Sequence, residues 1–140
     1  MKKNIILLAF FTLSGFLWSC GGNESKVRDC AQQYLDAAGN FRFDEARDFI
    51  TEESNSKITI MENFLKMIPE NEIQRNLPVT NTIQNIVIEG DTATVNFESK
   101  SPLHTNNNTI KLVKKGHKWL VDLNLSIPEK GAKTSQGHNL

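Results

Sequence analysis

Charge of one sign, clustered histidines and glycine-rich loops are all missing from this 140-residue chain. Sixteen basic residues face sixteen acidic ones, so no net basic surface is implied and nucleic-acid binding has no electrostatic support. The three histidines, His104, His117 and His138, share no metal-ligand spacing with each other or with an acid pair. No phosphate loop or nucleophile motif occurs. No metal, no cofactor and no catalytic residue is therefore expected. No internal repeat is found.

One long apolar run is present, at residues 5–18, broken only by Thr12, Ser14 and Gly15 and preceded by Lys2 and Lys3. It has the length of a signal-peptide core, roughly 7–15 residues, rather than the ~20 of a membrane-spanning helix. Gly21, Gly22, Asn23 and Glu24 turn polar at once. Residues 1–19 thus read as a cleaved signal. Leu17, Ser19 and Cys20 resemble the lipobox of bacterial lipoproteins; Trp18 departs from it, where a small or β-branched residue is usual. The resemblance implies that Cys20 is diacylated on sulfur and takes a third acyl chain as the new N-terminus. One acyl chain binds a membrane marginally, at about 0.8 kcal/mol per buried CH₂, whereas two or three hold firmly. The implied partner is the membrane, through Cys20. Gly21 after the cysteine resembles the pattern sorted to the outer membrane, which places the protein in the bacterial envelope.

Removing residues 1–19 leaves 121, enough for one domain with a real core. It takes away Lys2 and Lys3, so 14 basic residues remain against 16 acidic, a net −2. With Cys20 acylated, Cys30 has no partner for a disulfide and reads as a buried small hydrophobe. Residues 20–25 form the lipidated cysteine and a tether, 26–127 the domain and 128–140 a polar tail.

In the domain, Val27, Cys30, Ala31, Tyr34, Leu35 and Ala38 recur with helical spacing, and Gly39-Asn40 supplies a stop. Phe43, Ala46, Phe49 and Ile50 form the buried side of a second helix, with Asp44 and Glu45 in its first turn. Residues 51–56 are a polar break. A third helix over about 56–68 has Lys57, Met61, Phe64, Leu65 and Ile68 on one face. Pro69 ends it, residues 70–76 suit a further short helical piece, and Pro78 closes the helical half.

From Val79 the period changes to two. Residues 83–88 and 92–98 read as a hairpin around Gly90-Asp91, a type II′ turn. It pairs Ile88 with Ala93, Ile86 with Val95 and Gln84 with Phe97. A second hairpin, 109–113 with 117–123, turns at Lys115-Gly116 and puts Ile110, Leu112, Trp119, Val121 and Leu123 on one face. A slip of one residue would bring Asp122 inward instead.

Helices before an antiparallel meander imply an α+β fold. The stretches 40–46, 89–95 and 116–119 together resemble the small lipoproteins of the NTF2-like (cystatin-like) superfamily, in particular its DUF4878 group. The resemblance implies three N-terminal helices on a curved four-stranded antiparallel sheet that forms an open-ended cone. It carries over no catalytic residue. Tyr34, Phe64, Phe97 and Trp119 are candidates to line the pocket mouth, although plain core filling is the favoured reading and all four are expected among the most buried residues. Asp29, Asp36, Asp44, Glu45 and Asp48 fall outside the buried stripes, and His117 sits at the sheet rim. Asp91-Thr92-Ala93 resembles an O-glycosylation acceptor tripeptide of one group of Gram-negative bacteria.

The leading expectation is a lipid-anchored, non-enzymatic domain of this family that binds a small apolar ligand, a peptide or a protein partner. One alternative is an NTF2-like enzyme of isomerase or dehydratase type with an unrecognised pocket acid. The other is a structural subunit that forms a homodimer through an exposed sheet face. The anchor has a direct check. Cys20→Ala is expected to abolish metabolic labelling by a fatty-acid analogue; wild-type labelling of that variant would remove Cys20 as the acylated residue.

Overall fold

A computed structural model describes residues 21–126 of the chain. Cys20 and the stretches expected as a signal and a tail fall outside the described residues. The elements run α1 (Gly21–Gly39), α2 (Phe43–Ala46) with a 3₁₀ turn at Arg47–Phe49, a second 3₁₀ turn at Glu52–Ser54, α3 (Asn55–Leu65) and α4 (Glu70–Arg75). The strands β1 (Thr80–Glu89), β2 (Thr92–Lys100), β3 (Thr105–Lys115) and β4 (Lys118–Val121) follow, then a last turn of helix, α5 (Leu123–Ser126). No described helix is long and apolar enough to cross a membrane. The stretch expected as a tether after Cys20 is the exposed first turn and a half of α1.

The expected α1 stripe faces the sheet: Val27, Cys30, Ala31, Tyr34 and Leu35 are buried, and Ala38 is half-buried. Against them lie Ala93, Val95 and Phe97 of β2, Ile110 and Leu112 of β3, and Trp119 and Val121 of β4. All of these core residues lie between Val27 and Leu123, so a chain starting at residue 20 keeps the whole core. The far face of the sheet is polar where strands meet. There Lys111 Nζ donates to Thr94 Oγ1 at 2.6 Å and Thr109 Oγ1 to Asn96 Oδ1 at 2.7 Å.

The cone is not formed. The four strands pair in simple order, β1-β2-β3-β4, as an open antiparallel meander. Closing a sheet demands strong curl from repeated bulges and kinks, and this sheet has one bulge, between Ile83 and Asn85 of β1. Against the sheet lies the buried face of α1, with Tyr34 and Leu35 part of one continuous core. The resemblance to the NTF2-like superfamily and its DUF4878 group therefore fails, and so do both functions drawn from it, the NTF2-like binding module and the NTF2-like isomerase or dehydratase.

The register of the first hairpin was legible except at that bulge. Ile88 pairs with Ala93 and Ile86 with Val95, but Phe97 faces Ile83, because Gln84 is the extra residue and points to solvent. Gly90 has φ +60° and Asp91 does not share it, as a type II′ turn requires. The second turn is Gly116-His117, one residue later than expected, with Lys115 paired to Lys118. Trp119 is buried, and Asp122 Oδ1 accepts the Asn124 and Leu125 N–H groups at the start of α5.

Two asparagines clamp α1 to β1. Asn81, buried, donates from Nδ2 to the Leu35 carbonyl at 2.9 Å and accepts from Ser99 Oγ; its own carbonyl takes Gln32 Nε2 at 2.9 Å. Asn40 mimics a strand: Oδ1 accepts the Val79 N–H at 2.9 Å while Nδ2 donates to the Val79 carbonyl at 3.0 Å. Gly39 allows this approach, since a Cβ there would lie 3.0 Å from Asn81 Nδ2 and 3.3 Å from Val79 Cγ1. Asn81→Ala would remove the Nδ2 bond to the Leu35 carbonyl and leave Ser99 Oγ without its acceptor, and is expected to cost about 1–3 kcal/mol. A urea midpoint equal to wild type would show that the clamp is dispensable.

Candidate functional site

The helical half leaves apolar surface uncovered. On α3 and just beyond it, Ile60 is 62 % exposed, Phe64 60 % and Met67 73 %, with Met61 also exposed. Single exposed apolar residues are ordinary, but four on one side of one short segment form a patch. Phe64 is therefore not in the core, against expectation. The buried residue of α3 is Ile58, fully enclosed, and the expected face through Lys57 and Met61 is rotated away from it.

Beside this patch lies a trough of about 390 Å³. Ile60, Met61 and Phe64 form one bank, Ala38, Phe41 and Phe43 the other, and Leu65 and Ile68 the floor. Past Phe41, Leu65 and Ile68 it adjoins a second cleft of about 400 Å³. That cleft has Ile73 and Val79 as further apolar wall and a polar end made of Glu72, Asn76, Ser99, Ser101, His104 and Asn106. Each falls within the ~300–1,000 Å³ of small-molecule sites. Sharing Phe41, Leu65 and Ile68, the two lie side by side as a bipartite channel, apolar at one end and polar at the other.

Phe41 stands between the two halves, and its backbone is unusual. It has φ +61°. The Phe41 N–H donates to the Ala38 carbonyl at 3.1 Å and the Arg42 N–H to the Ala37 carbonyl at 2.8 Å, which closes α1 as a Schellman motif. Phe41 thus occupies the left-handed position where glycine is usual and a bulky residue is strained. The left-handed residue expected from Gly39-Asn40 falls one place later, because both of those are committed to the β1 clamp. The Phe41 ring packs on Phe43 with centroids 6.2 Å apart.

The orientation of α3 is fixed by three anchors. Ile58 is in the core. Arg47 forms a two-pronged ion pair with Glu62, both contacts 2.9 Å. Ser54 Oγ, buried beside Thr51 Oγ1 at 2.7 Å, accepts the Leu123 N–H at 2.9 Å. The Arg47 hydrogen bonds hold the Glu62 carboxyl below the usual range. That contribution is present above the ordinary carboxylate range and is lost as pH falls through the depressed value.

The other candidates from the sequence are scattered. Tyr34 and Phe97 are buried beneath α1, away from the trough, and burial pushes the Tyr34 hydroxyl up to about 12. Trp119 borders a separate cleft of about 280 Å³ that includes Lys26, Asp29, Asp48, His117 and Lys118. Of the four proposed pocket residues, Phe64 alone reaches the trough. Cys30 is buried with its thiol pushed up to about 11, chiefly by desolvation, which disfavours the thiolate. His104 lines the polar end of the channel, whereas His117 stands at the opposite end of the sheet. Among the described residues, no group of three His, Cys, Asp or Glu side chains has a metal-binding arrangement. Thr92 of the Asp91-Thr92-Ala93 tripeptide is half-buried, paired with Glu89 and Val113.

Comparison with models of protein families, with curated proteins and with solved structures finds no match to this chain. The site is accordingly judged on its own geometry.

Replacing Phe41 separates its ring from its backbone. Phe41→Gly loses the ring but relieves the left-handed backbone; Phe41→Ala loses the ring and keeps the strain. Phe41→Gly is expected to be the more stable by about 1 kcal/mol in urea melts. An alanine variant equal to or more stable than the glycine variant would contradict the left-handed assignment.

Proposed function

We propose that this domain binds a single-chain amphiphile in the channel beside Phe41, with the apolar part between α3 and Phe41 and Phe43, and the polar head toward Ser101 and His104. The observation that carries this reading is the uncovered bank of Ile60, Met61 and Phe64 on a helix whose rotation is pinned. Methionine suits such a bank because its unbranched, polarisable side chain adapts to varied apolar shapes. The reading is of binding without chemistry: Glu72 and His104, which both line the polar end, make no hydrogen bond or ion pair with each other among the described residues.

Dimerisation through this patch is the weaker reading. Four partly exposed side chains of this size bury well under the ~1,200–2,000 Å² of total surface that stable interfaces need. The outer sheet face, where Thr94, Asn96, Thr109 and Lys111 bond to one another, gives no apolar alternative at those positions.

We also propose that the membrane is a partner through acylated Cys20 and that the protein resides in the bacterial envelope. Support comes from Leu17, Ser19 and Cys20. Gly21 opens α1 and the channel flanks its other end at Ala38 and Gly39, so roughly 26 Å separates them at 1.5 Å per residue. An anchored domain would then hold its ligand away from the attachment point.

Phe64→Glu tests the site without disturbing the core. Because Phe64 is exposed, the urea midpoint is expected to move by less than about 0.5 kcal/mol in stability. The fluorescence gain of Nile red, an uncharged apolar dye, is expected to fall severalfold. Full dye fluorescence in this variant would move the binding site elsewhere.

A further inference from the structure

The polar end of the channel is not neutral in its chemistry. Its charged side chain is Glu72, on α4; no lysine or arginine lines either half of the channel. Glu72 is exposed and enters no ion pair among the described residues. Asn76, one turn later, donates from Nδ2 to the Glu72 carbonyl at 3.1 Å, which leaves Oδ1 buried and without a donor. A buried acceptor with no donor is uncommon and calls for an explanation.

From these observations we infer that the channel selects amphiphiles with a cationic, hydrogen-bond-donating head, such as a primary alkylammonium, over those with a carboxylate or phosphate head. This rests on the binding role proposed for the same channel. The apolar trough sets only that the ligand has an alkyl or aromatic tail. The head is chosen by charge and by donors. An ammonium brings three N–H donors and one positive charge. It meets the Glu72 carboxylate, and reaches Asn76 Oδ1 only where the Asn76 side chain turns outward, since that atom has no accessible surface. A carboxylate head brings acceptors alone, meets a like charge, and finds no lysine or arginine to neutralise it.

The test uses the chain from residue 20 onward, which retains the complete core, at pH 8 and with every ligand below its micelle concentration. Dodecylammonium, dodecanoate and the uncharged octyl glucoside are titrated by calorimetry. Dodecylammonium is expected to bind roughly tenfold tighter than dodecanoate, with a preference that shrinks as salt is raised. Glu72→Gln is expected to bring the two within about twofold, and Glu72→Lys to reverse their order. Glu72 lies on an exposed turn, so neither variant is expected to alter the urea midpoint.

Equal affinity for both heads in the unaltered chain, or a preference that survives Glu72→Gln, would overturn the selection while leaving the channel as an apolar site. No binding of any of the three would overturn the channel reading itself, and the selection with it.

Discussion

Everything proposed for this domain depends on α3 being unable to roll. An isolated amphipathic helix turns its larger apolar side chains toward the core, because burying a Phe or Met is worth about 1.5–3 kcal/mol. Here the side chain turned inward is Ile58, while Phe64 and Met67 face water. Rolling α3 to bury Phe64 would pull Ile58 out of its enclosed site, break the paired Arg47–Glu62 contacts and release Ser54 from the Leu123 N–H. Breaking a hydrogen-bonded charge pair and emptying a core position together exceed the gain from one partly buried ring. The exposed bank is therefore a consequence of the fold and not a failure of packing.

The opposite bank is held with similar rigidity. Asn40 and Asn81 tie the end of α1 to the start of β1, and Gly39 lets the two backbones meet. With those residues committed, the left-handed step that ends α1 falls on Phe41, whose ring stands between the apolar trough and the polar cleft. Strain at a residue that lines a cleft is where functional constraint is often found. The walls are thus set by hydrogen bonds and core contacts that do not themselves line the trough's mouth.

Much of the core could be read from periodicity. The α1 stripe, the outer part of the first hairpin and the inward direction of Trp119 and Val121 follow from spacing, because those segments bury one continuous face. What escaped had no periodic signature. The bulge at Gln84 shifts the register within an unbroken run of strand formers. Ile58 is followed on its own face by Glu62, so the stripe drawn through Met61 and Phe64 looks more apolar than the true one. Thr51, Ser54 and Asn81 are buried because of partners distant in sequence, and polar residues give no sign of that in isolation. The cone was an inference from loose motifs; the observed meander shows that a helical half followed by four strands does not determine sheet curl. The channel went unseen because it lies between α3, the end of α1 and the β2–β3 end of the sheet, a meeting that no local pattern announces.

The central claim is that the bank carrying Met61 and Phe64 meets a ligand's apolar tail. The chain has three methionines, and only Met61 and Met67 lie in the described domain, both on or beside that bank. ¹³C-methyl NMR of protein labelled at the methionine and isoleucine methyls during a dodecylammonium titration reads the site directly, with the Ile58 methyls as an internal reference in the core. A saturable shift of the Met61 methyl, with Ile58 unmoved, is the expected result. An unmoved Met61 methyl at saturating ligand would contradict the account.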